Sequence, residues 1–246
     1  MPHTLFISDL HLCETRPAIN EAFFRFLKSE ATKAEALYIL GDLFEYWIGD
    51  DDIEHGLNRQ VADALAELSR SGTRLFFMHG NRDFLIGERF ASEAGLTLLS
   101  DPTHVDLYGM PVLLMHGDTL CTDDVDYQRF RAMVRATEWQ RAFLAKPLEE
   151  RRKDVEEYRR RSEHAKQEKS IEIMDVAPRT IEDTLRKSGA SILIHGHTHR
   201  PAHHQPEVDR VRRDRWVLPD WTSVATGLRI SPGLEPVFFP SADRAG

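Results

Sequence analysis

This chain of 246 residues predicts an α/β fold with a substantial buried core, on three observations. Short apolar runs alternate with amphipathic stretches through the first hundred residues. Hydrophobic residues make up 41% of the chain and charged ones 29%, which supports a core and argues against disorder. Apolar runs end repeatedly in clusters of Asp, Asn, Gly and His, the arrangement expected where strand ends build a site.

Leu5-Phe6-Ile7 reads as a buried strand ending in Ser8-Asp9. Ala18 to Lys33 carries the helical stripe Ala22, Phe23, Phe26 and Leu27. Ala36 to Leu40 is a second strand, ending in Gly41-Asp42. Leu57 to Arg70 is a second helix, with Val61, Leu65 and Leu68 on one face and Gly72 as its stop. Arg74 to Met78 is a third strand, ending in His79-Gly80-Asn81-Arg82-Asp83, and Phe84 to Ala94 is a third helix stopping at Gly95. The β-α-β-α-β-α order implies parallel strands with helices on both faces. Strands follow at Thr103 to Leu107 and Val112 to Met115, the second ending in His116-Gly117-Asp118.

From Asp124 to Ser170 the chain holds no Gly and one Pro, and reads as two helices broken at Lys146-Pro147. This segment has 13 Lys and Arg against 10 Asp and Glu, a net of +3, which leaves 19 against 30, a net of -11, for the rest. It reads as an inserted helical cap. Pro178 to Lys187 is a last helix, leading through Gly189 into a strand at Ser191 to Ile194 that ends in His195-Gly196-His197-Thr198-His199. Arg215 to Phe239 reads as strands separated by Gly and Pro.

The net charge of -8 excludes a general nucleic-acid coat, which needs a basic surface. Two cysteines, Cys13 and Cys121, are too few for a disulfide framework and suit a reducing compartment. The start, MPHTLFISDLH, carries neither a basic segment nor a long apolar run, so no secretory signal is expected. No stretch approaches the ~18 apolar residues of a spanning helix. The expectation is a cytoplasmic chain, soluble or peripherally bound.

Twelve His in an acidic chain need a destination. Alone, Asp9-x-His11 is most simply a helix cap with a surface His, Gly41-Asp42 an ordinary turn, and Gly196-His197-x-His199 a buried polar network. Five such blocks in order, each after an apolar strand, outweigh those readings, because the carboxyl ends of strands in an α/β sheet converge on one edge. Asp9, His11, Asp42, Asn81, His116, His197 and His199 are mixed oxygen and nitrogen ligands without thiolate, which suits Mn²⁺, Fe or Zn²⁺ better than Ca²⁺. Seven ligands exceed one site and fit two metals sharing a carboxylate. Two cations about 3.5–4 Å apart grip a phosphoryl oxygen and deliver a hydroxide. Period-2 alternation in an extended chain would point both members of Asp9-x-His11 and of His197-x-His199 the same way. The Gly residues before Asp42, Asn81 and His197 allow close backbone approach. His79 and His195 abut the blocks and are candidates for orienting ligands.

The five blocks resemble those of the calcineurin-like metallophosphoesterases. The resemblance implies a four-layer α-β-β-α metallophosphoesterase sandwich. It also implies that Asp9, His11, Asp42 and His199 hold one metal and Asp42, Asn81, His116 and His197 the other, with Asp42 bridging. Catalytic roles then fall on Asp42, Asn81, Arg82 and His116. Where many members carry Asn-His-Asp, this chain has Asn81-Arg82-Asp83. Arg82 cannot donate a proton at neutral pH, and a general acid matters most for a poor leaving group. Arg82 can instead pair with a second phosphate. The departure favours cleavage of a pyrophosphate bond over cleavage of an ester of an alcohol.

Gly41 to Asp51 (GDLFEYWIGDD), Gly80 to Phe84 (GNRDF), His116 to Asp124 (HGDTLCTDD) and His195 to Pro201 (HGHTHRP) are similar to the bacterial UDP-2,3-diacylglucosamine diphosphatase family of lipid A biosynthesis. That resemblance implies hydrolysis of UDP-2,3-diacylglucosamine to 2,3-diacylglucosamine 1-phosphate and UMP with two Mn²⁺ per chain, a water shared by the metals attacking the α-phosphorus. It implies peripheral association with the inner face of the cell inner membrane, with no nucleic acid and no obligate protein partner. Substrate positions of that family fall on Asn81, Arg82, Asp124, Ser162, Lys166, Lys169 and His197. Ser162, Lys166 and Lys169 share one helical face, and Lys166 sits where the family varies. The chain is then one domain, 1–246, with a lipid-binding cap inserted at about 124–170. Tyr127, Phe130, Met133, Val134, Trp139, Phe143 and Leu144 are available for an acyl pocket or equally for the insert's own core, as are Phe44, Tyr46 and Trp47 for core or site wall. A slightly basic cap on an acidic body suits an anionic membrane and lipid. The rivals are another calcineurin-like activity, on cyclic nucleotides or dinucleoside polyphosphates, and a non-catalytic scaffold of the same fold.

Overall fold

The computed structural model of the chain describes residues 2–168, 173 and 175–240, without the side chains of 161–168. Its first part alternates β1 (Thr4–Ile7), α1 (Pro17–Ser29), β2 (Ala36–Ile39), α2 (Gly56–Arg70), β3 (Arg74–Met78), α3 (Glu88–Ala94) and β4 (Leu96–Leu99). There follow β5 (Thr103–Leu107), β6 (Met110–Met115), α4 (Val125–Arg135), α5 (Thr137–Leu144), α6 (Leu148–Glu168), α7 (Pro178–Ser188) and β7 (Ile192–His195). The remainder is β8 (Ala202–His204), β9 (Glu207–Val208), β10 (Val211–Arg212), β11 (Asp214–Val217), β12 (Gly227–Ile230) and β13 (Val237–Phe239).

Two sheets carry the fold. The first has the order β13-β12-β1-β2-β3-β4, with β1 to β4 parallel, and the second the order β5-β6-β7-β11-β8, with β6, β7 and β11 parallel. β9 and β10 form a separate antiparallel pair. Strand alternation sorts the side chains. Leu5, Ile7, Leu37, Ile39, Leu75 and Phe77 pack on one face against Phe23 and Phe26 of α1, Val61 and Leu65 of α2 and Phe90 of α3. Phe6, Tyr38, Leu40 and Met78 point the other way, into a core shared with Val112, Leu114, Ile192, Ile194 and Trp216 of the second sheet. The outer face of that sheet, Leu113, Met115 and Leu193, packs on Ile181 and Leu185 of α7. The layers are α-β-β-α.

Three sequence expectations are corrected. Helices cover only one face of the first sheet; the other is covered by the second sheet. Apolar strands buried on both sides look the same whichever layer lies above them. The third helix starts at Glu88, not Phe84, because residues 81–87 form a series of bends and one turn instead of helix. There the Asp83 carboxylate takes the amides of Gly80, Asp42, Leu43 and Phe44, holding the loop off the helical path. The inserted stretch holds three helices, since Ala136 (φ −66°, ψ 135°) breaks the run that reads as one.

Candidate metal centre and adjoining cleft

All five blocks lie at the carboxyl ends of β1, β2, β3, β6 and β7. The backbone there does not continue the strands. Asp9 (φ 56°), His11 (51°), Asp42 (53°), His197 (69°) and His199 (54°) occupy the left-handed region, which costs a non-glycine residue about 1 kcal/mol or more. This overturns the alternation argument for the Asp9–His11 and His197–His199 pairs: tight turns, not an extended chain, bring their side chains together. The turns are locked to each other. Leu10 and His11 donate their amides to the Asp42 carbonyl (2.9 and 3.0 Å), and Asp9 donates to the Gly41 carbonyl (3.1 Å). The approach leaves no room for side chains. A Cβ on Gly80 would lie 2.1 Å from Asp42 Oδ1, and one on Gly196 2.2 Å from Ser8 Oγ and 2.3 Å from Asp9 Oδ2.

Seven side chains converge. His11 Nε2 lies 3.2 Å from His199 Nε2, which is 3.3 Å from Asp9 Oδ1. Asn81 Oδ1 lies 3.0 Å from His116 Nε2 and 2.8 Å from His197 Nδ1. Asp42 spans the two groups, with Oδ2 3.9 Å from His11 Nε2 and Oδ1 3.9 Å from His116 Nε2. The ligand atoms of Asp9, His11 and His199, and those of Asp9, Asp42 and His116, lie within 4.8 Å of one another.

The chemistry of these atoms fits a cation. His116 Nδ1 donates to the Leu40 carbonyl (2.8 Å), which fixes the ring with Nε2 towards the oxygens of Asn81 and Asp42. Acceptors facing acceptors need positive charge between them. Among the described residues Asp9 Oδ1 is buried with only the His199 ring nitrogen (3.3 Å) near it, while Asp9 Oδ2 accepts from Ser8 Oγ (2.6 Å) and the His197 amide (2.9 Å). Titration carries the same imbalance. Burial raises Asp42 to about 7 against the pull of His116. Burial alone would lower His116, but Asp42, Asp118 and Asp9 push it up to about 9. Burial also opposes ionisation of Asp9, yet the His199 hydrogen bond and nearby imidazoles hold it well below the usual range. His11 and His197 are pushed down to about 3 by burial, the neutral form that metal ligation requires. The donor set of the buried cluster fits a divalent metal.

The inserted helices flank this centre. Between them and the body lies a cleft of about 410 Å³, lined on the body side by Asn81, Arg82, Phe84, Tyr46 and Trp47 and on the insert side by Tyr127, Phe130, Met133, Trp139 and Tyr158. Of the candidate acyl-pocket residues, Val134 and Phe143 are buried and also reach the cleft, whereas Leu144 is exposed and Phe44 belongs to the core under α1 to α3. The two readings of these apolar residues are therefore both realised, by different members. Asp124 lines the cleft and caps α4, accepting from the Tyr127 amide (3.1 Å). Asn81 and Arg82 line the cleft, and His197 belongs to the centre, 2.8 Å from Asn81 Oδ1. Ser162, Lys166 and Lys169 lie outside the described residues or side chains. His79 donates from Nε2 to the Ile86 carbonyl, and His195 from Nδ1 to the Gly196 carbonyl just before His197.

Sequence reasoning did not assign two buried acids. Glu45 is 5% exposed and lies 3.7 Å from His11 Nδ1, 3.8 Å from Arg82, 3.7 Å from Arg16 and 3.0 Å from Arg159 of α6. Asp118, two residues after His116, accepts from the Tyr127 hydroxyl (2.7 Å) and Arg131 Nε (2.7 Å), and its carbonyl takes the Gln128 amide (2.8 Å). The Tyr127 ring lies 5.9 Å from that of His197. The signal was the acid itself, inside a motif whose neighbours drew attention.

A family model for calcineurin-like phosphoesterases matches residues 2–201. A protein of Aromatoleum aromaticum named UDP-2,3-diacylglucosamine hydrolase is 56% identical over 233 residues, 95% of each chain. Proteins of that name from Escherichia fergusonii and Klebsiella pneumoniae are 49% and 48% identical over 238 residues, and the first covers 96% of this chain and 99% of its own. A solved archaeal phosphodiesterase aligns over 96% of this chain and 98% of its own, at 14% identity and a TM-score of 0.46. The family match spans every residue of the metal centre, and the identity with the named hydrolases runs nearly end to end: the chain belongs to the calcineurin-like phosphoesterases, in the UDP-2,3-diacylglucosamine hydrolase family.

Proposed function

We propose that this chain hydrolyses the pyrophosphate bond of UDP-2,3-diacylglucosamine, giving 2,3-diacylglucosamine 1-phosphate and UMP for lipid A biosynthesis, with two Mn²⁺ held as the ligand split above describes. The observation that carries this reading is the junction at Asn81 and Arg82. Both border the apolar cleft, and Asn81 Oδ1 also meets His116 and His197. A substrate with phosphates at one end and acyl chains at the other matches that order of polar centre and apolar cleft. Divalent cations held by Asp9, His11, Asp42, Asn81, His116, His197 and His199 would supply an acidified water and offset the charge that builds on the phosphoryl oxygens.

Asp42 turns one carboxylate oxygen towards each half of the cluster and would be the ligand shared by both cations. Asn81 and His116 orient phosphoryl oxygens. Arg82 pairs with the phosphate on the sugar side, so no general acid is required when the phosphate leaves. Asp124, Ser162, Lys166, Lys169 and His197 contact the sugar and its neighbours, and the insert closes over the acyl chains as a cap. Among the described residues no helix is long and apolar enough to cross a membrane. Peripheral contact with the inner face of the inner membrane brings the lipid within reach.

The test is hydrolysis of UDP-2,3-diacylglucosamine in Mn²⁺, with a chelator control. Turnover should vanish with the chelator, and a UDP-sugar without acyl chains should be a poor substrate. In ¹⁸O-labelled water, attack at the α-phosphorus places the label in UMP. Label recovered in the sugar 1-phosphate, or equal rates with and without acyl chains, defeats the reading.

A further inference from the structure

A second cavity, of about 660 Å³, lies on the outer face of the second sheet and shares no lining residue with the apolar cleft. Its floor is β8 and β11, through Ala202, His204, Arg215 and Val217, and Ile181 of α7 forms one wall. Its upper edge is Thr198, the residue between His197 and His199. The volume falls in the ~300–1,000 Å³ range of small-molecule sites. The lining is mixed rather than apolar.

We infer that this groove holds the nucleoside half of the substrate, so that the pyrophosphate crosses the metal centre between the two cavities. The inference rests on the proposed function. Arg82 and the cleft account for the sugar phosphate and the acyl chains; the α-phosphate and uridine must leave the centre in another direction. The groove begins at the loop that carries two metal ligands. Arg215 is the polar group there with most to offer. Burial holds its guanidinium below the usual range, and it makes no hydrogen bond among the described residues. Arginine has five donors in a planar fork, which suits the carbonyl oxygens of a pyrimidine or ribose hydroxyls. Across the floor, the exposed Gln205 amide donates to Asp214 Oδ1 (3.2 Å) and keeps its own carbonyl for a base N–H. Pro201 and Pro206 add flat apolar surface for a ring.

The experiment is calorimetric titration of UMP, and separately of inorganic phosphate, into Mn²⁺-loaded wild type, Arg215→Ala and Gln205→Ala. UMP affinity should fall about tenfold in Arg215→Ala and several-fold in Gln205→Ala, the loss expected for one or two hydrogen bonds. Phosphate affinity should change less than twofold, because phosphate needs only the metals. Gln205 is exposed, so its variant keeps the test open if Arg215→Ala does not fold. Unchanged UMP affinity in a folded variant overturns the inference, as does a parallel loss of phosphate affinity, which marks a general anion site. Turnover of UDP-2,3-diacylglucosamine by the same wild-type preparation separates the levels. Turnover with unmoved UMP affinity removes only the groove, whereas absence of turnover removes the functional reading and this inference with it.

Discussion

Asp42 is the residue on which the centre turns. It is 2% exposed, sits in left-handed backbone, and touches both halves of the ligand cluster. Asp42→Ala should abolish turnover, by at least ~10³-fold, while the fold survives; a variant keeping more than a few per cent of activity would falsify the bridging role. Gly80 is as exacting in a different way. Alanine there would need the Asp42 carboxylate to move away from a contact of 2.1 Å, so Gly80→Ala should lose metal affinity and activity together, read by Mn²⁺ titration beside an assay. The two thiols make a contrast. Cys121 is buried and its pKa is pushed up to about 12, first by burial and then by Asp118, whereas Cys13 is partly exposed. Iodoacetamide at pH 8 should modify Cys13 first and leave Cys121 intact until the protein unfolds.

At the level of elements, the inserted helices are tied to the body by ion pairs rather than by a shared core alone. Arg151 of α6 is 2% exposed; it donates to the Ile48 carbonyl (2.5 Å) and forks onto Asp51. Arg152 pairs with Asp52 and Arg159 with Glu45. Part of the insert's positive charge is therefore spent inward on the acidic body and is not free for a membrane, which narrows the charge argument made from composition. Arg151→Ala should lower stability by about 3 kcal/mol, measured by urea unfolding, with Mn²⁺ affinity kept. The Arg151 hydrogen bond lowers the Asp51 pKa. The sign follows directly: stability from this pair is complete above the unfolded carboxylate value near 4 and is lost as pH falls through the folded one. Limited proteolysis of the insert should therefore speed up below pH 4 in the wild type, and Asp51→Asn should remove that step. α4 has its own anchor in Asp118, held by Tyr127, Gln128 and Arg131. Tyr127→Phe keeps the ring beside His197 and loses the hydroxyl contact, so its KM should rise more than its kcat falls.

For the whole molecule, buried acceptors facing one another imply that metal stabilises the folded state. Mn²⁺ at a hundred times its Kd should add about 2.7 kcal/mol to the chelator-treated protein, and Asp9→Asn should abolish that gain in thermal melts. Much of this architecture was readable in the residues. Leu5-Phe6-Ile7, Ala36 to Ile39 and Arg74 to Met78 announce strands by apolar runs of the right length, and the polar block after each lies where strand ends must converge. The candidate ligands were readable as a set for the same reason, and the structure brings Asp9, His11, Asp42, Asn81, His116, His197 and His199 into one cluster. Three things needed the folded chain. Both faces of β1 to β3 are apolar, and nothing local tells a covering sheet from a covering helix. The left-handed turns at Asp9, His11, Asp42, His197 and His199 arise because loops from different strands hydrogen-bond to one another, an interaction between segments up to 188 residues apart. Glu45 and Asp118 became parts of the site only when Arg82, Arg159, Tyr127 and Arg131 closed on them. A motif records which groups are present, while the partners that neutralise and orient a buried carboxylate come from distant segments, brought within hydrogen-bond reach by packing.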